Sequence, residues 1–195
     1  MLKHISTCIA LIFVYNWLPA QSFMHSVGAT ISVMDARIHD SWGSSYSIST
    51  MQTNLSYFPR YNFAESDNAS VSIGLPLGAG IGISDNGLSD YGVAFAFDIP
   101  AVVDYNFGYK STPDNDSRVG GYLGAGFGYY RITVSKSSYS DFTGVSYGPM
   151  VRAGFRFTTP RDRENGQGIT VGLFYKKGLE KEKFNTYGCN VYFDF

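Results

Sequence analysis

Seven charged side chains, Arg60, Asp98, Asp104, Arg152, Arg156, Lys176 and Asp194, each stand out of phase with an alternating apolar series. Successive side chains of a strand point to opposite faces, so these seven would collect on one side of a sheet. Four cations and three carboxylates gathered there could line an ion-selective passage. They could equally neutralise one another as a buried plug. A buried charge left without a partner costs several kcal/mol, so pairing is required either way. Asp104 is expected to bond Arg156 or Arg60, with Asp98 near Arg152, and a plug is the favoured reading.

Other reactive residue types are sparse. His39, Asp40 and Ser41 supply the groups of an acyl-transfer triad, but three adjacent residues on one loop cannot converge as nucleophile, base and orienting acid. His25 beside Ser26 is no better placed. Two histidines beyond the leader and one thiol, Cys189, offer no metal-ligand spacing. The glycine-rich stretches alternate with apolar residues and no helix follows them, so they are not phosphate loops. No catalytic residue, metal or cofactor is expected.

The elements that must position these charges are strands. From Ala69 to Ile83 every odd position is apolar, and the even ones are Ser, Gly and Pro. From Tyr91 to Phe107 the odd positions are again apolar, and only Val102 spoils the other face. Six further segments carry the pattern, around Val27–Val33, Leu55–Tyr61, Val119–Tyr129, Val145–Phe157, Ile169–Tyr175 and Tyr187–Phe195. That makes eight strands, in one domain, with no helix-length amphipathic segment between them. Aromatics reach 16% and charged residues only 16%, against about 25% in a typical soluble domain. A formal net charge of −1 gives no basic footprint, so nucleic acid is not an expected partner.

A soluble sandwich and a membrane barrel use this alternation in opposite senses. The first buries its apolar face, whereas the second turns it to lipid. Strand length favours the barrel, because alternation over 15 and 17 residues exceeds the five or six usual in soluble sheets. Glycine favours it too, since all strand glycines but Gly121 fall on the non-apolar face, where they would make room in a narrow lumen. Tyr57, Tyr61, Tyr91, Tyr105, Phe155 and Tyr187 near strand ends match an interfacial girdle. Backbone groups in hydrocarbon must all be paired, so such a sheet closes on itself. The expected fold is all-β: an eight-stranded antiparallel up-and-down transmembrane β-barrel. Pro59, Pro76, Pro100 and Pro149 each delete a ladder donor and are expected at bulges or strand ends.

Residues 1–20 read as a signal peptide, with Lys3 and His4 ahead of an apolar stretch from Ile5 to Leu18 and a small residue, Ala20, at the cut. Residues 21–195 form the barrel domain. Cleavage removes Cys8 and Lys3, leaving 14 basic and 16 acidic residues, a net charge of −2. Cys189 then has no disulfide partner within the chain.

The leader, eight strands, glycine-rich inner face and terminal Tyr192-Phe193-Asp194-Phe195 resemble the OmpX/OmpA-type outer-membrane β-barrel superfamily. The stretch FDIPAVVDYNFG followed by GGYLGAGFGYY is similar to barrel proteins common in Bacteroidetes. The resemblance spans the mature chain and carries no catalytic signature. It implies residence in a Gram-negative outer membrane, amid lipid and lipopolysaccharide. It also implies that Phe193 and Phe195 form the C-terminal signal read by the barrel-assembly machinery. A monomer is expected.

With a periplasmic N-terminus, external loops fall at about Asp35–Ser47, Ser84–Ser89, Ser135–Thr143 and Lys177–Asn185, exposing Trp42, Tyr46, Tyr139, Phe142 and Phe184. Aromatics among small polar residues make adaptable binding surfaces. The expected function is a small non-porin barrel with a structural or surface-interaction role. A lipid A-modifying enzyme or a narrow channel are the alternatives. Against the enzyme, the interior is read as glycines opposite charges, without an apolar pocket.

Overall fold

The computed structural model describes residues 22–39, 45–85, 91–135, 142–158, 167–180 and 184–195. These form β1 (Ser22–His39), β2 (Ser45–Ser66), β3 (Ala69–Gly74), β4 (Leu77–Asp85), β5 (Tyr91–Gly108), β6 (Val119–Ser135), β7 (Phe142–Phe157), β8 (Gly168–Lys177) and β9 (Asn185–Asp194). Every pairing is antiparallel, and β1 pairs with β9 to close the ring. β3 and β4 occupy one position, both lying between β2 and β5. Ile73 faces Tyr61 and Val103, while Ala79 faces Leu55 and Phe97, so the register passes unchanged through the Leu75-Pro76 interruption. The barrel therefore has eight strand positions.

The ring is staggered. Ladder partners followed once round from Arg131 run through Phe97, Ala79, Leu55, Ala29, Val191, Val171 and Phe155. They return to β6 at Gly121, ten residues from the start. Such a stagger tilts the strands by the roughly 35–45° that closed barrels require.

Alternation decides the two faces as expected. Leu55 is 72% exposed and Phe95 53%, whereas Asp104 and Arg156 are 1% and 0% exposed. Apolar side chains cover the outside, and the charged, polar and glycine positions fill the axis. Glycine makes that filling possible: a Cβ at Gly172 would lie 2.0 Å from the Tyr122 hydroxyl, and one at Gly74 would lie 2.4 Å from the Phe58 ring.

Two expectations are corrected. Of the four prolines only Pro76 interrupts a strand; Pro59, Pro100 and Pro149 lie within β2, β5 and β7, and the bulge falls instead between Asn62 and Ala64. The Pro59 carbonyl still accepts the Leu75 N–H at 3.0 Å, so losing one donor does not end the ladder. Pro149 lies just before Met150, the first β7 residue paired with β8. The first external loop is also shorter than expected, because β1 continues to His39 and β2 begins at Ser45. Pairing satisfies the backbone here even though the apolar series at odd positions has given way to Arg37, His39, Ser45 and Ser47. Tyr46 therefore belongs to β2, and Phe142 opens β7. Trp42 and Tyr139, with Asp40 and Ser41, lie outside the described residues.

Candidate functional site

The inward charges meet at three levels. Toward the end of the barrel carrying the chain termini, the Asp194 carboxylate accepts hydrogen bonds from the Ser26 and Thr170 hydroxyls. Beside it Arg60 and Arg156, both fully buried, donate to one acceptor, the Lys110 carbonyl, at 2.9 and 3.4 Å. Arg156 also donates to Asn106 Oδ1 at 2.8 Å. In the middle, Arg152 Nε lies 3.6 Å from Asp104 Oδ1, and its guanidinium sits 4.5 Å from the ring centres of both Phe58 and Tyr122. Further toward the loops, Lys176 Nζ meets Asp98 Oδ1 at 2.6 Å and lies 4.9 Å from the centre of the Tyr130 ring. Tyr130 donates its hydroxyl to Gln52 Oε1 at 2.6 Å.

All five residues read as the lumen plug, Arg60, Asp98, Asp104, Arg152 and Arg156, face the axis, but their partners differ from expectation. Asp104 pairs with Arg152 rather than Arg156 or Arg60, and Asp98 pairs with Lys176 rather than Arg152. The register gives the reason. Asp104, Gly124 and Arg152 occupy one ladder row on β5, β6 and β7. A Cβ on Gly124 would lie 1.9 Å from Asp104 Oδ1, so the carboxylate reaches Arg152 across a glycine. Lys176 likewise crosses Gly128, where a Cβ would lie 2.5 Å from its Cδ.

Arg60 and Arg156 are held instead by a turn that the strand pattern did not reveal. After Gly108 (φ 66°) the chain bends into the barrel mouth, and Lys110 takes φ 57°, a conformation a side chain seldom adopts. Tyr109, Lys110 and Ser111 are all buried. The Ser111 carbonyl accepts from Asn62 Nδ2 at 3.0 Å and Ser70 Oγ at 2.5 Å, and Tyr109 donates to the Gln167 carbonyl at 2.5 Å. Side chains from β2, β3 and β7 thus clamp two consecutive carbonyls inside the lumen.

Burial lowers the pKa of the Lys110 ammonium from its ordinary value; Asp194 opposes the shift and Arg60 adds to it. Between the lowered value and the ordinary 10.5, the unfolded chain binds more protons than the folded one, so this residue makes stability rise with pH over that window. Lys110→Met is expected to remove this contribution. The check is a urea midpoint in vesicles from pH 7.5 to 10, which should climb less in the variant than in the unmodified chain.

The interior also holds more apolar volume than expected. Met34, Ala94, Ala96, Tyr130, Ile132, Val134 and Phe184 form a buried cluster toward the loop end. Phe58, Val102, Met150, Phe174 and Tyr192 form a second around Arg152. Phe184, read as a loop aromatic, is 1% exposed. Parity carried this signal, since Tyr122, Tyr130, Ile132 and Val134 stand out of phase with the outward series of β6. Between the charged levels lies a cavity of about 20 Å³ bordered by Arg152, Asn54, Thr30 and Tyr192. A single water needs about 10–15 Å³ by this measure, so the space suits one water rather than a hydrated ion.

Outside the lumen, His25 and Ser26 face opposite ways. Ser26 points inward to Asp194, while the His25 ring stacks on Phe195 with centroids 5.8 Å apart and bonds the Tyr57 hydroxyl at 2.7 Å. The two cannot act on one substrate. Phe193 and Phe195 both point outward at this rim, 43% and 52% exposed. Among the described residues no three His, Cys, Asp or Glu side chains gather as a metal ion would need.

No family model and no curated protein matches the sequence. Solved structures do. The outer membrane protein OprG from Pseudomonas aeruginosa is similar with a TM-score of 0.52 at 13% identity, over 91% of this chain and 94% of that one. Neisserial surface protein A (NspA) is similar with a TM-score of 0.50 at 17% identity, over 90% of this chain and 98% of that one. At such identities the likeness is one of fold, and together with the closed ring and inverted polarity it is specific: the chain has the fold of the eight-stranded outer-membrane β-barrels of the OmpX/OmpA type.

Proposed function

We propose that this chain is a non-conducting outer-membrane barrel that serves as a rigid membrane anchor and presents its loop-end hairpins for contact at the cell surface. One observation carries the reading: among the described residues the lumen is blocked at successive levels, by the clamped turn at Lys110, the Asp104–Arg152 and Asp98–Lys176 pairs, and the apolar cluster around Ile132, leaving between them room for about one water. A filled lumen leaves the surface as the working part. NspA is by its name a surface protein, which supports the same reading. The end carrying the chain termini is assigned to the periplasm, since at the other end the wall runs on past its apolar band into polar hairpins. Phe193 and Phe195 then face lipid at the periplasmic rim, where the assembly machinery would meet them.

The test has two parts. In planar bilayers the purified barrel is expected to give no steps comparable to those of a general porin, and porin-like steps would overturn the reading. On intact cells, labelling or proteolysis should reach the 40–44 and 136–141 connections; inaccessible loops would equally overturn it. The turn makes a further prediction. Replacing residues 109–114 by Asn-Gly removes the Lys110 carbonyl that Arg60 and Arg156 hold. In a Cys189→Ala background, Ser72→Cys should then change from unreactive to fully reactive toward a membrane-impermeant thiol reagent supplied at the periplasmic mouth.

A further inference from the structure

The lipid-facing wall is uneven in shape and in charge. On β7, Ala153 shares one ladder row with Leu123 of β6 and Leu173 of β8. A single methyl between two leucines that are 64% and 67% exposed leaves an apolar groove of about 300 Å³, extended toward the loop end by Val151 and Tyr175. Lys177 follows Tyr175 by two residues and is exposed on the same outer face. Arg131, also exposed, stands out from β6 opposite Val145 of β7. Among outward strand residues with described side chains, Arg131 and Lys177 are the two Lys or Arg, and they flank the one strand that floors the groove. Tyr147 lies between them, 46% exposed and packed against Phe127 with ring centroids 6.3 Å apart.

We propose that this face is a binding site for a phosphate-bearing lipid of the outer leaflet, with an acyl chain in the groove over Ala153 and the phosphate held by Lys177 and Arg131. The inference rests on the membrane reading and orientation given above. Charge selects the occupant. An apolar groove alone accepts any chain, but two cations at its headgroup end, opposed by the single Glu180 carboxylate that accepts from the Tyr147 N–H at 3.3 Å, leave one net positive charge to attract phosphate, about 1 kcal/mol at an anionic surface. A second copy of the barrel packed symmetrically through this face would bring Lys177 and Arg131 against their own counterparts, which like-charge repulsion disfavours. Phenolic and aromatic rings at the same height suit the headgroup boundary.

The experiment uses the full barrel in phosphatidylcholine vesicles, with spin-labelled phosphatidic acid and spin-labelled diacylglycerol as probes of matched chain length. The motionally restricted fraction is expected to favour phosphatidic acid by roughly fivefold, the factor that about 1 kcal/mol represents. Lys177→Gln with Arg131→Gln should bring the ratio close to one. Ala153→Phe, which fills the groove, should lower the restricted fraction of both probes, with heat-modifiable migration confirming that each variant is folded. An unchanged ratio in the double glutamine variant overturns the site, and so does an unchanged restricted fraction in Ala153→Phe. Cross-linking of two barrels through Ala125→Cys in a Cys189→Ala background would identify a second copy as the occupant and overturn it as well. A chain that fails to float with the vesicles overturns the membrane reading itself, whereas a floating barrel without selectivity overturns only the lipid site.

Discussion

Asp104→Ala is expected to destabilise the barrel by roughly 3–5 kcal/mol, the range for breaking a buried ion pair by removing one partner. The size follows from what remains. Arg152 is 2% exposed, has Asp104 as its ion-pair partner, and is otherwise held between the Phe58 and Tyr122 rings. Those rings offer a cation roughly a few kcal/mol between them, too little to replace a carboxylate in a site closed to bulk water. The double variant Asp104→Ala/Arg152→Met is expected to recover most of the loss, because removing both charges also removes the desolvation penalty. Urea titration in vesicles, read by the heat-modifiable band, distinguishes the cases. If Asp104→Ala alone unfolds at the unmodified midpoint, water rather than Asp104 compensates Arg152, and the middle level is not an ion-pair plug.

How far this arrangement was legible in the sequence depends on the kind of information each part needs. Facing direction needs only parity along one strand, so Leu75 and Phe95 outside and Arg156 and Asp104 inside could be read directly. The same rule also placed Tyr122, Tyr130 and Ile132 inside, although the charges drew attention first. Partner choice needs the stagger between strands, which no single segment contains. Estimating depth from each strand's end set Asp104 beside Arg156, whereas a ten-residue stagger brings Arg152 onto its row. The Lys110 turn lies beyond both kinds of inference. Its entry into the lumen depends on the Lys110 carbonyl meeting Arg60 and Arg156 and the Ser111 carbonyl meeting Asn62 and Ser70, and carbonyls are invisible to side-chain patterning. The hairpin ends were misjudged for a related reason: β1 and β2 continue as paired backbone beyond Asp35, where the apolar series at odd positions gives way to Arg37, His39, Ser45 and Ser47.

The strongest claim about architecture is that the ring closes, and one glycine tests it. Gly28 on β1 stands opposite Tyr192 on β9, at the seam where the first and last strands meet. A Cβ there would lie 1.9 Å from the Val191 carbonyl oxygen and 2.7 Å from the Tyr192 Cα. Both are main-chain atoms of the partner strand, so no rotamer change relieves the contact. At Gly172, by contrast, the nearest obstruction is a side chain that can swing, the Tyr122 hydroxyl. Gly28→Ala is therefore expected to part β1 from β9 locally and expose backbone donors and acceptors to hydrocarbon, where each unpaired group costs several kcal/mol. Two or three such groups together reach the roughly 5–15 kcal/mol by which folded proteins are usually stable. The predicted outcome is loss of the compact, heat-modifiable form on a gel. Ala29→Val supplies the control, since its side chain points to lipid beside Leu55 and Val191 and adds apolar surface where apolar surface belongs. A barrel that tolerates Gly28→Ala as well as Ala29→Val would mean that the two strands are not in close ladder contact, and the closed ring on which the filled lumen depends would have to be abandoned.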